Sequence, residues 1–308
     1  MRTRKSCGIC VFGLLALAGP SAARGDEIIT FIHQGIDRPL ILHHPSAMPT
    51  GPAPLVIALQ GLGQDADGLK RALRLDAAAD RAGFRVLYPD AFGHAWSYGR
   101  PINQPMPKIG EETIDDVGLI RRVIDDFVER KVADPARIYV TGMSRGGLMA
   151  YTLACALADR IAAAAPLISG MTEYQREDCR PARAMPIMVV AGTADQTQSF
   201  GGGAGLVGRL LSVPDTIDFW RTLHGCTGST ARALPHRDPA DLTSVTLVDW
   251  TGCRDGGRVL LYRVEGGGHR VPTFAPESNP EGVKRSNLRN RDIETADDIW
   301  AFFKDISR

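Results

Sequence analysis

The sequence predicts an α/β fold, a mostly parallel central sheet with helices on both faces. Three observations predict it. Short, continuously apolar runs recur along the chain, each the length of a strand buried on both sides. Segments with helical periodicity separate them, and strand–helix alternation of this kind means a parallel sheet. The residues able to carry chemistry follow the apolar runs directly, at the strand ends where such sheets bind ligands.

The elements read in order. "PLVIALQG" (Pro54–Gly61) is a strand ending in glycine, and "GLKRALRLDAAADRAG" is one helix with Leu69, Ala72, Leu73 and Ala77 on its apolar side and Gly83 as its stop. "FRVLYPD" is the next strand, closed by Pro89, and a polar loop rich in Gly, Pro and Asn runs to about Glu112. "DDVGLIRRVIDDFVER" is amphipathic along Val117, Ile120, Ile124 and Val128. The strand "RIYVTG" and the helix "GGLMAYTLACALA" follow, then two buried strands, "IAAAAPLIS" and "PIMVVAG". "PDTIDFWRTLHG" is a helix with Pro214 near its start, "SVTLVDW" and "RVLLYRVEG" are strands, and "ETADDIWAFFKD" closes the chain as a helix. No linker-like stretch interrupts the pattern, so residues 24–308 read as one domain.

The totals narrow the function. With 36 basic against 35 acidic residues in 308, no basic block marks a nucleic-acid footprint. The N-terminus has a secretory layout: charged "MRTRKS", apolar "CVFGLLALA", then small residues at Ser21 and Ala23. The apolar run is too short to remain in a bilayer, so residues 1–23 are expected to be cleaved and the chain to reach the periplasm or the medium without stable membrane insertion. Cys7 and Cys10 leave with that signal. Cys155, Cys179, Cys226 and Cys253 remain, an even number in an exported chain, which points to two disulfides. Three connectivities are open, with the nearest-neighbour pairing, Cys155–Cys179 and Cys226–Cys253, as the expectation.

"TGMSRGG" (141–147) carries the chemistry. It reads G-x-S-x-G between a strand and a helix, the setting of a nucleophile elbow, with Ser144 at the turn. A serine is a weak nucleophile and needs a base held by an acid. In this architecture acid and base follow in the order Asp, then His. Asp195 in "VVAGTADQ" and His269 in "VEGGGHR" each come directly after a strand, in that order. His33, His43, His44 and His94 precede the serine; His224 closes a helix, where a protonated ring complements the dipole, and His236 sits in a polar loop. Asp215 opens a helix and reads as a first-turn charge. The backbone N–H groups of Leu62, in "LQGLGQ", and of Arg145 are the candidate oxyanion donors. Gln60, Trp96 and Arg270 are the candidate substrate contacts; Trp96 and Tyr98, in the long loop after a strand, equally suit a cover over the sheet edge. "GGGAG" (201–205) has no strand leading into it and reads as a loop beside the acid. No clustered Cys/His set and no phosphate-cradling loop calls for a metal or cofactor.

Together, "LVIALQGLGQDADGL", "DPARIYVTGMSRGGLMAYTLAC", "MVVAGTADQ", "SVPDTIDFW", "GCTG" and "VEGGGHRVP" resemble the alpha/beta-hydrolase esterases of the polyhydroxybutyrate depolymerase-like and feruloyl or acetylxylan esterase-like group, from about Pro54 to Lys304. The resemblance implies an alpha/beta-hydrolase fold and a serine esterase with Ser144 as nucleophile, Asp195 as acid and His269 as base. It further implies small or oligomeric ester substrates and no cofactor. The family's paired cysteines, near the serine helix and the histidine loop, imply the nearest-neighbour disulfides. Three positions depart from the family pattern. Gln60–Gly61 replaces His–Gly, and a glutamine there can still hydrogen-bond to hold the loop. Arg145 replaces a small residue, and two roles are open for its guanidinium: to meet a substrate carboxylate or carbonyl at the pocket mouth, or simply to pair with a nearby acid. Arg270–Val271–Pro272 replaces a Trp-Pro pair and removes a stacking surface for a phenolic acid or sugar. Gln60 and Arg145 motivate the competing reading, a non-catalytic binding protein that keeps the fold.

Overall fold

The computed structural model describes residues 25–47, 50–99, 108–109, 112–205, 208–276 and 282–308. The expected signal segment, with Cys7 and Cys10, lies outside the described residues. In chain order the elements are β1 (Glu27–His33), β2 (Ile36–His43), β3 (Ala53–Leu59), α1 (Ala66–Leu73), α2 (Leu75–Ala82), β4 (Arg85–Pro89), β5 (Lys108–Ile109), β6 (Glu112–Thr113), α3 (Asp116–Glu129), β7 (Ala133–Met143) and α4 (Arg145–Ala156). Then come β8 (Ala163–Leu167), α5 (Glu173–Asp178), β9 (Ile187–Gly192), β10 (Gly203–Gly205), β11 (Gly208–Leu210), α6 (Val213–Leu223), β12 (Gly228–Ala233), β13 (Ser244–Thr251), β14 (Val259–Glu265) and α7 (Thr295–Phe303).

Ten strands form one sheet in the order β1-β2-β4-β3-β7-β8-β9-β14-β13-β12. The six central strands, β4 to β14, run parallel, and the two at each flank are antiparallel. Helices cover both faces of this centre, which is why its strands are apolar without alternation. Along β3, Leu55, Ile57 and Leu59 join the core under α3, α4 and α6. Val56 and Ala58 join the core under α1, α2 and α7, with Leu69, Leu75, Ala79, Ile299 and Phe303.

The structure departs from the sequence reading at the margins. The expected single helix over 68–83 is two, because Arg74 adopts a left-handed conformation (φ 56°) that ends α1 and begins α2. The kink re-aims the apolar stripe: Leu69 and Leu73 are buried from the first helix and Leu75, Ala78 and Ala79 from the second. The β1–β2 hairpin, α5 and β12 were not anticipated. Part of "GGGAG" is not loop, since Gly203–Gly205 pairs with Gly208–Leu210.

Both disulfides take the nearest-neighbour pairing. Cys155–Cys179 staples the last turn of α4 to the end of α5, and Cys226–Cys253 joins the chain after α6 to the end of β13. Among the described residues no helix is long and apolar enough to cross a membrane.

Candidate active site

Ser144 alone makes the turn between β7 and α4. Its backbone sits at φ 56°, ψ −116°, a region that costs a non-glycine residue about 1–3 kcal/mol. The neighbours hold it there. The Ser144 N–H donates to the Leu167 carbonyl (3.0 Å), and the Ser144 carbonyl accepts from the Leu148 N–H (3.1 Å). The flanking glycines are required by space. A Cβ on Gly146 would overlap the Leu59 carbonyl and lie 2.7 Å from the Gln60 oxygen, and one on Gly142 would overlap the Gly146 carbonyl. The end of β3 and the start of α4 therefore meet backbone to backbone beside the serine.

Asp195 stands three residues beyond β9 and His269 four beyond β14, a parallel pair. Their loops are tied together: the Ala194 N–H donates to the Gly267 carbonyl (2.9 Å) and the Gly266 N–H to Thr193 Oγ1 (2.9 Å). Asp195 is buried. Its Oδ1 accepts from the backbone N–H groups of Thr197 (2.8 Å) and Gln198 (2.9 Å), which leaves Oδ2 for His269 Nδ1 at 2.7 Å. His269 Nε2 lies 2.9 Å from Ser144 Oγ. An ionised carboxylate only accepts, so the hydrogen-bond network assigns the proton to Nδ1 and leaves Nε2 to accept from the hydroxyl. Aspartate, histidine and serine thus form one hydrogen-bonded line.

The loop after β3 lies over the serine: a Cβ on Gly61 would sit 3.6 Å from Ser144 Cβ. Within it the Gly61 N–H donates to Gln64 Oε1 (3.0 Å), the Gly63 N–H to the His94 carbonyl (3.0 Å) and the Gln64 N–H to the Gly61 carbonyl (3.3 Å). The Leu62 N–H makes no hydrogen bond among the described residues, and Leu62 is half exposed. Arg145 is the first residue of α4, so its N–H points out of the helix N-terminus.

Three side chains offered as pocket contacts are buried beneath the site. Trp96 is fully buried, its Nε1 donating to the Gln60 carbonyl (3.1 Å); a ring without accessible surface touches no substrate, and it supports the loop from beneath. Gln60 is also fully buried, and its amide donates to Asp90 Oδ1 (3.2 Å). Asp90 Oδ1 accepts from the Ala66 N–H as well (2.9 Å), so one carboxylate holds both ends of the loop; burial lifts that carboxyl above its usual range. The Arg145 guanidinium is not at the pocket mouth. It is 2% exposed, its Nε donates to the Trp96 carbonyl (3.0 Å) and it lies 4.9 Å over the Tyr98 ring. Arg270 is half-buried beside His269. His224 does not act as a cation at a helix end: it is buried, its Nε2 bonds the Met185 carbonyl (2.8 Å), and burial pushes its pKa down. Gln64 and Asp90 were missed in the sequence. The spacing of "QGLGQ", with a glutamine three residues past the glycine it holds, was the available signal for Gln64.

Two other features lie apart from this line. Asp26, His43 and Asp76 gather three metal-capable groups, but the Lys70 ammonium bonds both carboxylates and supplies the positive charge there. A cavity of about 390 Å³ opens between Tyr98, Thr152, Tyr174 and the Cys155–Cys179 disulfide, and none of Ser144, Asp195 and His269 lines it.

The chain matches the profile of the family described as "Esterase PHB depolymerase" over residues 40–213. It is 29% identical over 245 residues to feruloyl esterase B of Piromyces equi, covering 75% of this chain and 42% of that protein. It is 28% identical over 266 residues to the putative esterase NocK of Nocardia uniformis subsp. tsuyamanensis, covering 82% and 74%. To poly(3-hydroxyalkanoate) depolymerase C of Paucimonas lemoignei it is 29% identical over 167 residues, covering 54% and 40%. The chain thus spans less than half the length of two of these relatives. The fold is similar to that of an acetyl xylan esterase from Aspergillus awamori (TM-score 0.58, 14% identity, 81% of this chain and 96% of that one). It is also similar to a thermostable esterase (TM-score 0.55, 17% identity, 92% and 63%). The alpha/beta-hydrolase architecture, the elbow after β7 and the profile match, which takes in that elbow, together place this chain in the esterase PHB depolymerase family.

Proposed function

We propose that this chain is an exported carboxylic ester hydrolase, with residues 24–308 as its catalytic domain, Ser144 as nucleophile, His269 as general base and acid, and Asp195 as the group that orients the imidazole. The single observation that carries the reading is the unbroken line Asp195–His269–Ser144, at 2.7 and 2.9 Å, delivered to a strained strand–helix turn.

Ser144 Oγ attacks the ester carbonyl carbon as His269 Nε2 takes its proton. The carbonyl oxygen becomes an oxyanion facing the N–H groups of Leu62 and Arg145, each such donor lowering the barrier by roughly 3 kcal/mol. The intermediate collapses, the bond to the alcohol oxygen breaks, and His269 returns the proton to the departing alkoxide. Water then gives a proton to His269 and attacks the acyl-Ser144 carbonyl, and the acid leaves as Ser144 regains its proton.

The relatives' names support three candidate substrate classes for this chain: hydroxyalkanoate oligomers, acyl esters of cell-wall polymers, or small acyl esters. Two disulfides in the folded chain support export, since such bonds persist in oxidising compartments. The burial of Gln60 and Arg145 weakens the non-catalytic reading. Both departures from the family pattern are buried and hydrogen-bonded to the segments around the site. The test is hydrolysis of p-nitrophenyl acetate, butyrate and octanoate by wild type and Ser144→Ala. The variant is expected to lose at least about 10⁴-fold in kcat, and a fluorophosphonate probe should label wild type at Ser144. Equal turnover by the two proteins, or an unlabelled serine, refutes the proposal.

A further inference from the structure

The two proposed oxyanion donors belong to segments far apart in sequence, the loop after β3 and the start of α4. A third segment, 94–98, lies between them and bonds to both. On one side, Trp96 Nε1 donates to the Gln60 carbonyl (3.1 Å), the His94 carbonyl accepts from the Gly63 N–H (3.0 Å), and His94 Nδ1 donates to the Gln64 carbonyl (3.1 Å). On the other side, Arg145 Nε donates to the Trp96 carbonyl (3.0 Å), its guanidinium covers the Tyr98 ring, and Thr152 Oγ1 of α4 donates to the Tyr98 carbonyl (2.6 Å). The segment is pinned from behind as well: the Ser97 N–H donates to Asp116 Oδ2 (2.7 Å), and Asp116 is paired with buried Arg38 (2.7 Å).

We infer that residues 94–98 are a brace that sets the distance between the Leu62 and Arg145 N–H groups, with Trp96 and the Arg145 side chain as positioning residues for the oxyanion. The catalytic consequence rests on the ester hydrolase reading. Three properties suit the segment to this work. Trp96 is a rigid spacer with two side-chain torsions, packed without exposure, so its N–H and its carbonyl keep a fixed separation. The Arg145 fork is planar and held on two sides, by a carbonyl and by a ring. Gln60, Trp96 and Arg145 are all buried, so water does not compete for the bonds that connect them. Arg145 therefore acts twice: its N–H faces the oxyanion while its side chain fixes where the opposing donor stands. An oxyanion hole works only when its donors are in place before charge develops, and a displacement of about 1 Å costs roughly 100-fold in rate.

The test is Trp96→Phe, which keeps an aromatic six-membered ring and removes the five-membered ring that carries the N–H, with Arg145→Met acting from the other end in case the first variant folds poorly. In p-nitrophenyl butyrate hydrolysis each is expected to lower kcat about 10- to 100-fold with KM within about twofold. Affinity for an alkyl boronic acid, whose adduct places an oxygen in the hole, should fall by the same factor as kcat/KM. The double variant should fall no further than about threefold below the worse single one, because both cut the same connection. Amide hydrogen exchange over residues 60–66 should quicken in both single variants. A loss confined to KM, an unmoved boronate affinity, additive losses, or unchanged exchange over 60–66 each overturns the brace. Should wild type itself leave all esters intact, the hydrolase reading fails, and exchange over 60–66 alone decides whether the brace holds that loop.

Discussion

Asp195→Asn separates the role of the acid from its role in the fold. The two oxygens of Asp195 have different partners: Oδ1 accepts from the N–H groups of Thr197 and Gln198, at 2.8 and 2.9 Å, and Oδ2 accepts from His269 Nδ1 at 2.7 Å. In the asparagine variant the amide oxygen must take the Oδ1 position, because an NH₂ there would point its hydrogens at two backbone donors. The NH₂ then faces His269, which can pair with it only by turning Nδ1 into the acceptor and moving the proton to Nε2. The ring so arranged presents N–H to Ser144 Oγ and cannot take its proton. Such a tautomer error costs about 10⁴-fold in kcat, or roughly 5.5 kcal/mol of barrier. The loop keeps both backbone bonds, so the melting temperature should stay within about 2 °C of wild type. Asp195→Ala makes the contrast: it loses the same activity and also two charge-assisted bonds, each worth about 1.5–3 kcal/mol, so its melting temperature should fall. The assay is p-nitrophenyl butyrate hydrolysis at saturating substrate with calorimetry on each variant. A fall of less than tenfold in a folded Asp195→Asn protein would refute the reasoning, because the imidazole would then be oriented by some other group.

The remaining predictions concern the scaffold. Gly146→Ala puts a methyl onto the Leu59 and Gln60 carbonyls; it should lower stability by more than about 3 kcal/mol in denaturant titration and cut kcat with it. Replacing Cys155 and Cys179 by serine opens a loop of sequence separation 24 and should cost about 3 kcal/mol, seen as a fall of roughly 6–12 °C in melting temperature. Asp298, whose Oδ1 accepts from the Tyr262 hydroxyl (3.1 Å), has its pKa raised to about 6, chiefly by burial. The folded state therefore holds this proton more tightly than the unfolded chain does, so the penalty is absent below about pH 4, grows as pH rises and is complete above about pH 7. Asp298→Asn should accordingly stabilise the protein by as much as about 3 kcal/mol at pH 8 and by little at pH 4, and equal effects at the two pH values would contradict the assignment.

What could be read in the sequence was whatever depends on short-range pattern. The strands before Ser144, Asp195 and His269 each carry a buried run, Ile138–Gly142 in β7, all of β9 and Val259–Tyr262 in β14, and the candidate residues sit one to four residues past each strand. The flanking strands lack that signature. In β12 every residue is exposed, and in β1 exposed Ile28 and Ile32 alternate with Ile29 and Phe31, which pack on the core, so apolar residues fall on both faces and no alternation marks the strand. Within α1 and α2 the periodicity continues across Arg74, and only a left-handed φ, which sequence does not print, divides them. A loop-holding bond from Gln60 was legible beside its pocket reading, but the partners of Gln60, Trp96 and Arg145 lie 30, 36 and 49 residues away and could be found only from the fold.

Ser144 and His269 are 125 residues apart in the chain, and their contact forms only when β14 has docked against β9, itself two strands from β7. Contacts of such long separation form slowly, after the local helices and the first strand pairs. On the proposed function, ester hydrolysis is a reporter of the end of folding: a refolding chain should regain its helical signal well before it turns over its first ester.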